Sequence, residues 1–158
     1  MVTLNQIIDE IEAFGRSHGQ LSDVACCRPH EWLDGKDKKY AVLFFDYVRG
    51  RKNRNVLVLN FEAWIADRTV PGDGNVPEVW SDSLLIACDL LSYLSRNDAP
   101  YTLAEGAAFT PFTDDTPDSL TGNKIEFTLE VPFPYDRCFI PKKKDDGIFT
   151  DEFTEQFT

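Results

Sequence analysis

Residues 38–67 read KKYAVLFFDYVRGRKNRNVLVLNFEAWIAD. Two apolar runs flank seven polar residues, and that pattern decides the fold class. In 38–48 almost every residue is apolar or aromatic, as in a strand buried on both faces. In 56–67, Leu57, Leu59, Phe61, Ala63 and Ile65 alternate with Asn60, Glu62 and Trp64, which is the period of a strand with one covered face. The segment RGRKNRN at 49–55 between them reads as a polar turn. A long β-hairpin follows, and its tip carries Arg49, Arg51, Lys52 and Arg54. Such a tip can serve as a solvated loop that blocks edge-to-edge aggregation. It can also meet an acidic partner surface. Contact with DNA phosphates fits least, because the rest of the chain repels them.

Outward from the hairpin, the sequence predicts two helices and two more strands. Residues 3–19 place Leu4, Ile7, Ile8, Ile11 and Phe14 at helical spacing, with Thr3 and Gln6 in the relation of a capping box. Gly15 and Gly19 each offer a stop, and His18 reads as part of a solvated helix end. The segment SDVACCRPHEW is extended. His30 and Glu31 within it find nothing nearby to complete a metal set. The Gly- and Pro-containing run TVPGDGNVPEVW at 69–80 reads as an irregular loop and lacks the Lys-Ser/Thr of a phosphate loop. SDSLLIACDLLSYLSRN then reads as a helix with Ser81 as its N-cap. This helix is apolar nearly all round. We expect Leu84, Cys88 and Leu91 to pack on the sheet, and Leu85, Ile86, Leu90 and Tyr93 to be shielded by a neighbouring subunit. Strands are predicted near 104–112 and 123–133, the second alternating Ile125, Phe127, Leu129 and Val131 with Glu126, Thr128 and Glu130.

The order of elements predicts an α+β fold: a mostly antiparallel β-sheet with a long β-hairpin, two α-helices on one face and an extended C-terminal arm. The length of 158 residues fits one domain, taken here as 1–141, with 142–158 as a docking arm or flexible tail. Pro132, Pro134 and Pro141 end the last strand and hold the chain extended. Phe133, Tyr135, Phe139 and Ile140 then offer apolar area outside the sheet, and Asp136 and Arg137 add charge that could fix register. Beyond Pro141, Phe149, Phe153 and Phe157 stand four apart, on one side of a helix.

Composition narrows the function classes. Sixteen Lys and Arg against 27 Asp and Glu give a net charge of −11. That disfavours a DNA-wrapping surface and suits one past which DNA slides. The four cysteines form no Cys-x-x-Cys pair, so they are expected as reduced thiols in a cytosolic compartment. No signal peptide or membrane span is read from the apolar runs. With two histidines and scattered carboxylates, no catalytic or metal constellation can be assembled, and no enzyme or cofactor is expected.

Three stretches carry a family resemblance: WSDSLLIACDLLSYL, FTPFTDD and TGNKIEFTLEVPFPYDRCFIP. They resemble virion proteins of tailed bacteriophages, especially crAss-like phages of Bacteroidota. There a similar helix precedes a PFT strand and a strand ending in P-x-x-Y-D-R-C-x-I/V-P. The likeness runs from Thr3 to Pro141 and is most specific in that terminal signature. The element order also resembles the tail-terminator family, small α+β subunits that form rings at the head–tail junction. The resemblance implies a homo-oligomeric ring assembled in the host cytoplasm and carried in the virion. Its partners would be adjoining neck, portal-adaptor or tail proteins, with DNA only as passing cargo and no membrane. The interface residues expected on this basis are the basic tip, the outward stripe of the second helix, and the aromatic and charged residues from Phe133 onward. The alternative reading is a monomeric cytoplasmic protein-binding or inhibitor module.

Overall fold

Strand pairing organises the chain in a computed structural model, which describes residues 2–28, 31, 39–70, 74–113 and 119–133. The described elements are α1 (Leu4–Ser17), β1 (Asp23–Cys26), β2 (Val42–Asn53), β3 (Val56–Arg68), α2 (Val76–Leu94), β4 (Thr102–Leu103), β5 (Ala108–Thr113) and β6 (Leu120–Pro132). The fold is α+β. The six strands run in the order β1-β2-β3-β6-β4, with β5 also paired to β6. All pairs are antiparallel except β1 with β2.

The hairpin forms as expected, but its turn is shorter. Asn53 pairs with Val56, so only Arg54 and Asn55 lie between the strands, and Arg54 takes a positive φ of 54°. Residues 49–53, polar in sequence, are strand because Val56–Asn60 opposite supplies an apolar ladder already held by β6. A bulge at Val48 shifts the register between Tyr47 and Arg49. Past it, Arg49 and Arg51 lie on one face of the hairpin and Lys52 on the other.

Both helices cover one face of the sheet. Their buried residues form a single core with Leu43, Phe45, Phe61, Ile65, Ile125 and Leu129, in which the Phe61 and Phe127 rings stack at 5.4 Å. The opposite face is divided. Near one end Val42, Phe44, Ala66 and Leu120 form a smaller apolar cluster. Farther along, Lys124 bridges Glu62 and Glu126, each at 3.3 Å.

α1 carries the expected capping box, with reciprocal Thr3 and Gln6 hydrogen bonds. It does not stop at Gly15. That residue is buried, and an added Cβ would stand 2.6 Å from Val24, so glycine here lets the helix lie close to β1. His18 is not a merely solvated end. Its Nε2 pairs with Asp89 of α2 at 2.8 Å, while its Nδ1 accepts from the Gln20 amide.

α2 differs most from expectation. It starts at Val76, with Asn75 as N-cap rather than Ser81, because a proline in the first turn forfeits no helical hydrogen bond. The stripes are also partly exchanged, with Leu85 exposed and Leu91 packed against the core as expected but the other members differing. Val79, Ser83, Ile86, Ala87, Leu90 and Leu94 are buried. Ile86 and Leu90 therefore belong to the subunit core and do not face a partner. Leu84, Leu85 and Cys88 are exposed, and Leu91 and Tyr93 are half-buried. Ser83 turns inward because Asn123 of β6 donates to its hydroxyl at 2.9 Å.

Two substitutions check this packing. A Cβ at Gly122 would fall 1.8 Å from the Ile65 carbonyl oxygen, so Gly122→Ala must force β6 from β3. We expect a loss of about 3 kcal/mol in denaturant melts. Gly19→Ala, where a Cβ meets nothing within 4 Å, should leave the melt nearly unchanged. Leu90→Lys should abolish the cooperative transition, since it places an unpaired charge in the core.

Candidate interaction surfaces

Among the described residues, no three His, Cys, Asp or Glu side chains come together as a metal site. No helix among them is long and apolar enough to cross a membrane. Burial raises the Cys26 and Cys27 thiols, with nearby carboxylates adding to the effect, so both are poor nucleophiles near neutral pH. A cleft of about 370 Å³ on the helix-free face is lined by Arg49, Asn60, Glu62, Glu126, Thr128 and the loop at 104–108. Thr128 donates to Asn60 at 2.8 Å, and Glu62 and Glu126 share Lys124. Burial pulls the Lys124 pKa down, but the two carboxylates outweigh it and raise it. These groups satisfy one another and offer no nucleophile with an adjacent base.

The surfaces suited to a macromolecular partner lie elsewhere. The first is the hairpin tip. Arg49, Arg51, Lys52 and Arg54 are all exposed, but the alternation of the strand spreads them over both faces instead of gathering them into one patch. Lys52 Nζ lies 5.5 Å from the centroid of the Phe133 ring. The Phe133 amide donates to the Asn55 carbonyl at 2.6 Å, which fixes the point where the chain leaves the sheet beside the basic turn. Tyr135, Asp136, Arg137, Phe139, Phe149, Phe153 and Phe157 lie outside the described residues.

The second surface is the flank of α2 beside the sheet edge at β5. Trp80, Leu84, Leu85 and Phe109 are 36, 40, 61 and 37 % exposed, unusually open for large apolar side chains. Register orders the β6 contacts of α2 beside their β5 partners. Trp80 Nε1 donates to Thr121 Oγ1 at 2.9 Å, and the β5 partner of Thr121 is Thr113. Asn123 donates to Ser83, and its β5 partner is Pro111. Phe109, two residues before Pro111 on β5, pairs with Ile125. The Trp80 ring is not adrift, because its indole N–H is bonded and Thr121 in turn donates to the Phe112 carbonyl. Glu78, Asp82 and Asp89 are also exposed on α2, and Val76–Leu94 contains no Lys or Arg. Only the exposed residue Leu85 was legible as outward-facing. Trp80 and Phe109 were missed, because their exposure depends on how α2 is rotated over β6.

A polar hub fixes α2 against α1. Arg96 bonds Glu10, the Tyr93 carbonyl and the Tyr101 hydroxyl, and its guanidinium lies 4.4 Å from the Tyr93 ring centroid. Burial would lower the Arg96 pKa, but the bonds to Tyr101 and Glu10 raise it above its ordinary value. Burial pushes the Tyr101 phenol up to about 12; the Arg96 bond opposes this and Glu10 reinforces it.

A comparison with protein-family models and with curated proteins finds no match to this chain.

Arg96→Met should destabilise the fold by about 2 kcal/mol, since it strands the Glu10 carboxylate and the Tyr101 hydroxyl together. The drop should register as a lower Tm. In alkaline titration Tyr101 should ionise late, near pH 12. Its folded pKa lies above the unfolded value of about 10, so its contribution to stability is complete below pH 10 and is lost as pH rises to about 12. Phenolate absorbance followed alongside circular dichroism tests this.

Proposed function

We propose that this chain is a ring-forming structural protein of a tailed-phage neck or tail, similar to a tail terminator, through which DNA passes. One observation carries the reading. Two unlike, complementary surfaces lie at opposite ends of the sheet: a cationic hairpin tip, and a cation-free acidic helix edged by an apolar strip. β6 spans them, pairing near the tip through Pro132 and beneath Trp80 through Thr121. Unlike surfaces on one subunit associate head to tail, and such contacts close into rings when the rotation per subunit permits. The tip of one copy would sit against α2 of the next. The arm from 142 would extend across a neighbour, in keeping with the aromatic and charged run from Phe133 to Phe139.

The phage-like signature from Pro132 to Pro141 supports the same assignment. So does the net charge of −11, which would keep a DNA-passing lumen from holding its cargo. On this reading the protein has no catalytic role or cofactor. It assembles in the host cytoplasm, and its neighbours are adjoining neck, portal-adaptor or tail proteins. The second reading, a monomeric cytoplasmic binding or inhibitor module, would use the same two surfaces singly.

Mass measurement of the purified chain, alone and with candidate virion proteins, separates the two. The ring reading expects closed oligomers that weaken as salt rises. Replacing Arg49, Arg51, Lys52 and Arg54 with Ser should weaken assembly about tenfold, because exposed ion pairs contribute about 0–1 kcal/mol each. Assembly indifferent to all four replacements would rule out the tip as an interface. A mass near 18.0 kDa in every mixture would favour the monomeric module.

A further inference from the structure

The turn that joins α1 to β1 is tied down in part by an imidazole. We propose that His18 is a proton-operated latch. Neutral, it holds the turn through the Gln20 amide; protonated, it keeps its pair with Asp89 and lets that amide go.

The hydrogen bonds fix which form of the ring the structure holds. The Gln20 amide donates to His18 Nδ1 at 3.1 Å. A backbone N–H can only donate, so Nδ1 carries no proton. The other nitrogen, Nε2, stands 2.8 Å from Asp89 Oδ2. An ionised carboxylate can only accept, so Nε2 carries the proton. His18 is therefore the neutral Nε2–H tautomer. Turning the ring over would put carbons where both nitrogens stand and forfeit both bonds.

A second proton can only go to Nδ1, where it would point at the Gln20 N–H. The two bonds then cannot both survive, and charge decides which one yields. A bond from an imidazolium to a carboxylate is charge-assisted, whereas the Gln20 bond joins neutral groups and is the weaker. Position acts in the same direction. His18 is the C-cap of α1, where the last carbonyls of the helix favour a cation.

The surrounding charges agree. From α2 the ring meets Asp89, and Val76–Leu94 contains no Lys or Arg. On α1, Arg16 is bonded to Glu12 at 3.2 Å. Residues 19–22 include no charged side chain, and the next along the chain is Asp23. The Phe14 ring lies 5.4 Å from the imidazole, with Tyr93 beyond it.

The change is confined to the turn. His18 N–H bonds the Phe14 carbonyl at 3.0 Å, and Ser22 N–H bonds the Ala41 carbonyl at 2.7 Å. Neither bond uses the imidazole, so α1 ends and β1 begins at the same residues in both forms. Leu21, next to the freed amide, lines a cleft of about 230 Å³ with Gly15, Arg16 and Asp23, so the charge on His18 acts on the wall of that cleft.

Nitrogen-15 spectra of the full chain, followed from about pH 8 to about pH 5 where imidazoles change charge, test the latch. At the alkaline end His18 should show the Nε2–H tautomer. As pH falls, the Gln20 amide signal should move with the same midpoint as Nδ1, while the amides of β3 and β6 stay in place. In His18→Gln the Gln20 signal should no longer follow pH. Asp89→Asn removes the partner of the cation, so its cost should be greatest where the ring is charged. We expect it to lower the folded-to-unfolded ratio about threefold more at about pH 5 than at about pH 8. A Gln20 amide indifferent to the titration of His18, an Nδ1 already protonated at about pH 8, or equal losses from Asp89→Asn at both pH values would each overturn the latch.

Discussion

Thirteen consecutive residue pairs join β3 to β6, from Val56 with Pro132 to Arg68 with Leu120. Everything else hangs from that ladder. It fixes which side of each strand faces the helices, because a slip of β6 by one residue would turn Phe127 and Leu129 outward while Phe61 and Ile65 of β3 still faced inward. It also depends on one close approach. At Gly122 the two backbones come so near that no side chain fits against the Ile65 carbonyl. The ladder then sets the distance between the basic turn and the Trp80 flank, which makes the two candidate surfaces separate features of one rigid sheet.

Much of this architecture was legible in sequence, where local chemistry dictates geometry. The Thr3–Gln6 cap is a local device and forms as read. The alternation in 56–67 and 123–133 states which residues are inside, and they are. Where the reading failed, the deciding partner lay far away in the chain. The polar run 49–53 is strand because of what stands opposite. α2 begins earlier because Pro77, a loop signal in sequence, equally suits the first turn of a helix. Its buried stripe was misassigned because a helix apolar on most sides carries no internal label for its inner face. Ser83 and Asn123 supply that label, and the pair is 40 residues apart.

The polar contacts follow a division of labour. Those between helices, Arg96 with Glu10 and His18 with Asp89, set the angle at which α1 meets α2. Those on the open face, around Lys124, neutralise carboxylates that would otherwise stand opposite one another on β3 and β6. Neither group lies on the Trp80 strip or at the hairpin turn. The Trp80 indole and Lys52 have contacts of their own, to Thr121 and to the Phe133 ring.

The bond from Phe133 to Asn55 has a mechanical side. A pull on the chain beyond residue 133 enters β6 along its own axis. If the opposing force leaves the subunit at the Thr121 end, the rungs to β3 are strained in shear and must yield together. They would break in succession only if the strand were peeled sideways. Such a pull would be borne by the ladder between β3 and β6, with the helices carried on the same sheet.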